Sequence, residues 1–304
     1  MFIPTHHQIL DSKRWAYTSK GWESVFLPLS DSCTAVGDDQ IYRWTKTKWT
    51  SANDPLLDQM KHKVVYLPPG LSYAAKNSTF RRLAVHPDTV DQLVAAAPHY
   101  VDPRYWWVGQ LVAYVFRLNT TLQHSIEERY TSLGFKSPVV GVHIRRTDKV
   151  GDEAGYHPVE EYMKYVTEFY ERVKKASSND GENITRRVFL ATDEPRVIAE
   201  AKEKWPDFTF IFDEGISRSA GKTRHDPARL NEASLRGIIT DLYMLSRSDF
   251  VVCTMTSNIC RIVHELKLTR LPHRNAPHRT QSVDSYDEPQ THFPYVLVPF
   301  SDPT

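Results

Sequence analysis

The sequence predicts an α/β protein whose C-terminal half is an open, parallel, doubly wound sheet. Short apolar runs rich in β-branched and aromatic residues recur at 139–144, 188–191, 208–212 and 250–253. Stretches of ten or more residues with helical periodicity separate them, and Pro, Gly, Asp and Ser mark the boundaries. Strands divided by helices of that length pair in parallel, with the helices crossing over the sheet faces. The regular region spans about 138 to 268.

Before it, residues 1–57 are rich in tryptophan and turn residues and hold no sustained period. A strand is expected over Val64–Leu67, stopped by Pro68-Pro69-Gly70, followed by a loop over 71–87. A helix opening at Asp88 or Thr89 runs through Val90, Leu93, Val94 and Ala97 to Pro98. Asp102-Pro103 opens an aromatic-rich helix from Tyr105 to Leu118, and another follows from Leu122 to Leu133, closed by Gly134.

Val139–Ile144 reads as a strand buried on both faces. His157-Pro158 then starts a long helix with Val159, Tyr162, Met163, Val166, Phe169, Tyr170 and Val173 on one stripe. Ser177–Glu182 is a polar turn. Strand Val188–Ala191 leads through Thr192-Asp193-Glu194-Pro195 into a helix ending near Trp205-Pro206. Strand Phe208–Phe212 precedes a loop, Asp213–Arg229, read as substrate-facing. Leu235, Ile238, Ile239, Leu242 and Leu245 mark the next helix. Strand Phe250–Cys253 is followed by a helix that Ser257 can cap, through Ile262 and Leu266. Thr269–Gln290 reads as loop, and His292–Phe300 alternates weakly as one further strand.

The chain has 304 residues and a formal net charge of +1, so it has no general attraction to nucleic acid or membrane surfaces. Any anion site must be local. No segment approaches the run of apolar residues that spans a bilayer. The first residues, Met1–Asp11, lack a signal-peptide pattern, which suggests the cytosol. Against that stand the sequons at Asn77, Asn119 and Asn183, where about one is expected by chance. Of three cysteines, Cys253 and Cys260 flank a short turn and could bridge, while Cys33 has no obvious mate. Spacing alone favours three buried thiols.

Charge gathers where the strand 139–144 ends: Arg145, Arg146, Asp148, Lys149 and Glu153. In an open parallel sheet the ligand crevice lies at the C-terminal ends of the strands. Adjacent guanidinium groups there suit a diphosphate, or else a solvated basic turn. Asp148 is expected to fix an arginine, and Glu153 to accept a hydroxyl proton. Asp193 and Glu194 hold the equivalent position on the second strand and either bind sugar hydroxyls or cap the helix at Pro195. Thr254, Thr256 and Ser257 precede a helix N-terminus, where amides and hydroxyls form an anion site. Asp241 lies within a mostly apolar helix and His143 within the strand. The two could frame a purine, although a strand histidine is more often a core residue. No metal-ligand spacing, P-loop, dinucleotide fingerprint or nucleophile elbow is present.

At these residues the chain resembles the catalytic region of the eukaryotic α-1,6-fucosyltransferases that modify the core of N-glycans. The likeness lies in Gly141-Val142-His143-Ile144-Arg145-Arg146-Thr147-Asp148-Lys149-Val150-Gly151 and His157-Pro158-Val159-Glu160-Glu161-Tyr162-Met163. Further pieces are Ala191-Thr192-Asp193, Ser234-Leu235-Arg236-Gly237, Cys253-Thr254 running to Val263, Trp15-Ala16-Tyr17 and Gly21-Trp22-Glu23-Ser24-Val25-Phe26.

The resemblance implies transfer of L-fucose, with inversion, from GDP-β-L-fucose to O6 of the innermost N-acetylglucosamine of an N-glycan. No metal or other cofactor is implied. It makes Arg145 the β-phosphate arginine, His143 and Asp241 the guanine-recognising pair, Glu153 the general base and Lys149 its neighbour. Arg146, Asp148, Tyr162, Asp193, Glu194 and Ser257 match further positions needed for activity or donor binding. Glu194 stands where the family usually has aspartate.

The implied fold is two Rossmann-like domains of the GT-B type. An incomplete acceptor-side domain covers 1–137 and the donor-binding domain 138–268. A linker and the first strand of an SH3-like domain cover 269–304. Family members are Golgi-lumen type II membrane proteins with a stem that would supply a homodimer contact. The expectation is therefore a chain cut at both ends. In that frame Cys253 and Cys260 match a short-loop disulfide, reversing the preference for thiols, and the mate of Cys33 lies before Met1. The competing readings are another GDP-fucose-dependent transferase, or an inactive GDP- or glycan-binding homologue.

Overall fold

The computed structural model describes residues 22–28, 41–43, 64–66, 109–110, 112–146, 155–176, 184–214, 231–270 and 280–284. The chain divides into two compact units. One comprises Met1–Arg14, Pro28–Pro98 and Glu288–Thr304; the other comprises Trp15–Leu27 and His99–Asp287. In the first, β1 (Ile41–Arg43) and β2 (Val64–Tyr66) pair in parallel. The expected helix over 88–98 and strand over 292–300 lie outside the described residues.

The second unit is built on a five-stranded parallel sheet, in agreement with the doubly wound reading. Its elements are α1 (Thr120–Ser132), β3 (Val139–Ile144), α2 (Val159–Ala176), β4 (Arg187–Thr192), α3 (Pro195–Lys204) and β5 (Thr209–Ile211), continuing with α4 (Glu232–Arg247), β6 (Phe250–Cys253), α5 (Asn258–Arg270) and β7 (Thr280–Ser282). The strand order is β5-β4-β3-β6-β7. The chain therefore builds outward from β3 to β5, then returns to place β6 on the other side of β3. That reversal leaves a crevice between the C-terminal ends of β3 and β6.

Alternation along the strands feeds two cores. Val140, Val142 and Ile144 of β3 join Val188, Leu190 and Val252 beneath α2 and α3. Val139 of β3 joins Phe189, Ala191, Val251 and Cys253 beneath α1, α4 and α5. Every residue of β3 is buried, as a central parallel strand requires. Gly141 is needed there: a Cβ would lie 2.7 Å from Ser248 Oγ, at the end of α4. The stripe of α2 is buried at Val159, Tyr162, Met163, Val166 and Tyr170, each worth about 1.5–3 kcal/mol of apolar burial. Arg247 of α4 forms a two-pronged ion pair with Glu127, which ties α1 to the sheet unit.

Three details differ from the sequence reading. The helix expected to reach Leu118 stops at Val115 among the described residues, because Leu118 forms an antiparallel bridge with Phe26. Leu27 N–H donates to the Arg117 carbonyl and Asn119 N–H to the Val25 carbonyl, so backbone pairing with a segment far away in sequence overrides helical propensity. The strand expected over 208–212 shortens to Thr209–Ile211 at the sheet edge. Conversely β7 forms within the supposed loop 269–290. Its Thr-Gln-Ser run has no apolar alternation, and it is a strand because β6 offers it an edge.

Gly134 adopts φ 64° and closes α1 as expected. Asn119, one of the sequon asparagines, opens that helix. Its Oδ1 accepts from Leu122 N–H at 2.9 Å and its Nδ2 donates to the Glu23 carbonyl at 2.9 Å. Replacing Asn119 with Ala should lower the unfolding free energy by about 1–2 kcal/mol in urea titration, by removing the cap and the tie to residue 23.

Candidate functional site

The β3–β4 register ends with Ile144 opposite Thr192, so the next residues of both strands leave the sheet side by side. Asp193 thereby meets the two arginines. One carboxylate oxygen accepts the Arg146 backbone N–H at 2.8 Å, and the other lies 3.2 Å from Arg145 Nε. Sequence reading assigned the arginine-fixing role to Asp148 and gave Asp193 to sugar hydroxyls or a helix cap. In the structure Asp193 anchors both arginines. Glu194 occupies the N-cap position of α3 but makes no side-chain cap bond, and Pro195 supplies the helix start.

The arginines are held differently. Arg145 is half-buried and ion-paired. Arg146 is 9% exposed, and its guanidinium carbon sits 4.0 Å above the centroid of the Tyr156 ring. Its Nη1 and Nη2 atoms are buried with no hydrogen-bond partner among the described residues. Leaving such donors unmade costs about 1–3 kcal/mol each, so their position at a strand edge marks a place for an anion.

His143 is buried in β3 and, by alternation, shares the face of Val139 and Gly141, which is covered by α4. Burial pushes its pKa down to about 4, with Asp193 opposing and Arg145 adding to the fall. The imidazole is therefore neutral near pH 7, and its Nδ1 has no partner among the described residues. Asp241 lies half-buried in α4, the helix that packs on β3 and β4. The pair expected to frame a purine thus belongs to one side of the sheet.

On the other face, Tyr162 of α2 is buried, and its hydroxyl bonds to Thr254 just beyond β6. Burial raises its pKa well above the usual tyrosine value, so it stays a neutral donor. Ser257 immediately precedes α5.

The amides expected to form an anion site there are engaged by this chain's own carboxylate. Met255 N–H donates to Asp284 Oδ1 at 3.0 Å; Thr256 N–H and hydroxyl donate to Oδ2 at 2.9 and 2.7 Å. Ser282 also donates to Asp284. Burial would raise the Asp284 pKa, but these donors outweigh it and hold the carboxyl below the usual range. Arg261 Nε donates to the Met255 carbonyl at 2.8 Å, and the Cys253–Cys260 disulfide spans the same turn. The bridge agrees with the family-based reading of these cysteines rather than with the spacing-based one.

Lys149, Asp148 and Glu153 lie outside the described residues, as does Cys33. A cavity of about 280 Å³ is lined by Arg117, Gln123, Glu127, Tyr243, Arg247 and Leu266 among others, and none of the strand-edge residues borders it. The strand ends bring together His143, Arg145, Arg146 and Asp193, with Tyr162 and Thr254 on the β6 side. Sequence reading missed the anchoring by Asp193, the clamp by Asp284 and the ring of Tyr156. Only Asp193 carried a usable signal, its place at the end of a strand adjacent to the arginines.

A family model for alpha-(1,6)-fucosyltransferase N- and catalytic domains matches residues 2–286. The chain belongs to this family. It is 38% identical over 277 residues to the alpha-(1,6)-fucosyltransferase of Drosophila melanogaster, covering 91% of this chain and 40% of that protein. To the alpha-(1,6)-fucosyltransferase of Caenorhabditis elegans it is 35% identical over 261 residues, 84% of this chain and 42% of the other. The chain thus spans about two fifths of the length of these curated relatives.

Among solved structures it is similar to POFUT1 in complex with GDP-fucose, at 13% identity, TM-score 0.38, over 80% of this chain and 72% of that one. It is also similar to NodZ alpha-1,6-fucosyltransferase soaked with GDP-fucose, at 14% identity, TM-score 0.32, over 70% of each chain. Family membership agrees with the resemblance that the strand-end motif carries.

Two outcomes follow for this fucosyltransferase-family site. Asp284→Ala should cost about 2 kcal/mol in urea unfolding, because it strands buried amide and hydroxyl donors. For His143 the folded pKa lies below the unfolded one, so the unfolded chain takes the proton first. Its contribution is intact above pH 6.5 and is lost as pH falls toward about 4. His143→Gln should remove part of the stability difference between pH 7 and 4.5, and His264, buried with the same shift, should account for another part.

Proposed function

We propose that this chain carries the donor-binding and catalytic region of an enzyme transferring L-fucose from GDP-β-L-fucose to O6 of the innermost N-acetylglucosamine of N-glycans. The observation that carries the reading is the pair of anchored arginines at the β3 strand end, one with buried donors awaiting an acceptor. Membership of the alpha-(1,6)-fucosyltransferase family, and the names of the relatives, support the same chemistry. In this reading the sheet unit is the donor-binding half of a GT-B arrangement of two Rossmann-like domains, and the protein works in the Golgi lumen.

Transfer breaks the bond between the fucose anomeric carbon and the β-phosphate oxygen, and the electron pair leaves with GDP. Negative charge grows on that oxygen as the bond lengthens. A guanidinium held in place by Asp193 stabilises this growing charge more in the transition state than in the ground state. Arg145 takes that role, and Arg146 contributes donors to the diphosphate. No divalent ion is called for. The acceptor O6 attacks from the opposite face, which inverts the anomeric centre, and its proton passes to the Glu153 carboxylate. Neutral His143 and the Asp241 carboxylate offer a guanine ring an acceptor and a charged partner for its N1–H and amino group. Asp148, Lys149, Tyr162, Glu194 and Ser257 complete the donor pocket.

The test is release of GDP from GDP-fucose in the presence of a complex N-glycan bearing exposed terminal N-acetylglucosamine, with EDTA throughout. Turnover should persist in EDTA. Arg145→Ala should reduce it by about 100- to 1000-fold, and Glu153→Gln should retain GDP binding but stop transfer. Strict dependence on manganese, or normal turnover by Glu153→Gln, would overturn the mechanism. GDP binding without acceptor-dependent release would identify a binding homologue.

A further inference from the structure

We propose that Tyr156 is a positioning residue that holds the Arg146 guanidinium, by its face, in the orientation that presents its donors to the donor-substrate diphosphate. The inference rests on the reading that this strand end binds the nucleotide diphosphate, and it assigns a role to a residue that the sequence motif did not single out.

Tyr156 is 62% exposed, so its ring is not placed by core packing. It is placed by its backbone and by the cation beneath it. His157 precedes Pro158 and is confined to extended backbone, and His157 Nδ1 pairs with Glu161 Oε2 at 2.7 Å across the first turn of α2. The chain therefore enters α2 along a fixed path, and Tyr156 lies one residue before that constraint. Its ring centroid is 4.0 Å from the Arg146 guanidinium carbon. This is within stacking reach of a cation over an aromatic face.

The choice of partner has a chemical consequence. A carboxylate would hold the guanidinium through its N–H groups, use them up and neutralise the charge. A ring beneath the face holds the plane while leaving the in-plane donors available. Nη1 and Nη2 of Arg146 are the donors so left, buried and unpartnered among the described residues. Arg145, by contrast, is ion-paired with Asp193, whose Oδ2 lies 3.2 Å from its Nε. Adjacent arginines are thus fixed by two devices, and the aromatic one leaves the Nη1 and Nη2 donors of Arg146 for a ligand.

The test compares Tyr156→Phe, Tyr156→Leu and Tyr156→Ala in the full chain, with GDP and guanosine affinities measured by calorimetry and thermal midpoints recorded alongside. Tyr156→Phe keeps the π face and should bind GDP like the original protein. Tyr156→Leu and Tyr156→Ala should bind GDP about 3- to 30-fold more weakly, with guanosine affinity and thermal midpoint unchanged. Loss confined to the phosphate-bearing ligand is what a general structural role would not produce. Equal GDP binding by the Leu and Phe variants would overturn the proposal, as would parallel losses for guanosine and GDP. If the original protein bound no GDP, the nucleotide reading itself would fall, and this role with it. If it bound GDP and Tyr156→Leu did so equally, only the positioning role would fall.

Discussion

The carboxylate of Asp193 is the interaction on which the strand-edge site depends. It spans the gap between two parallel strands, taking the Arg146 backbone N–H on one oxygen and facing Arg145 Nε with the other. Parallel pairing makes this possible, because both strands point their C-terminal ends the same way and the register sets Thr192 beside Ile144. A one-residue slip would turn Asp193 to the opposite face and leave Arg145 without its partner. Half-burial of the pair makes removal of one member costly, because the other charge is then left uncompensated away from water.

Rigidity is concentrated on the other side of the crevice. The turn between β6 and α5 is held at its amides by Asp284, at a carbonyl by Arg261 and covalently by Cys253–Cys260. Helix N-termini attract anions, and here the anion is a side chain two residues beyond the strand that follows. The arrangement joins β7 to β6 by side chains as well as by the backbone ladder, which explains how a three-residue polar strand keeps its place. Tyr162 reaches Thr254 from α2, so the turn is braced from both layers of helices.

Burial makes the electrostatics of the crevice asymmetric. His143 is kept neutral by desolvation, and the two guanidinium groups beside it supply the positive charge. The result is one neutral hydrogen-bonding ring and two fixed cations within one strand end. Neutral His143 adds nothing to the positive charge, which among the described residues of this strand end comes from Arg145 and Arg146 beside the carboxylate of Asp193.

The amino-acid sequence by itself determined the alternation of strands and helices in the sheet unit, the buried character of β3, the stripe of α2 and the Gly134 stop, because each follows from local periodicity and backbone preference. It also determined the family, through the charged motif that follows β3. Only the tertiary structure decided that Asp193 anchors the arginines, that Asp284 fills the amides before α5, that Leu118 bridges to Phe26 and that Thr280–Ser282 is a strand. Each of these joins residues from different elements of the chain. Such partners are chosen by sheet register and packing, and no short-range pattern in a sequence encodes which distant group a free donor or an open edge will meet.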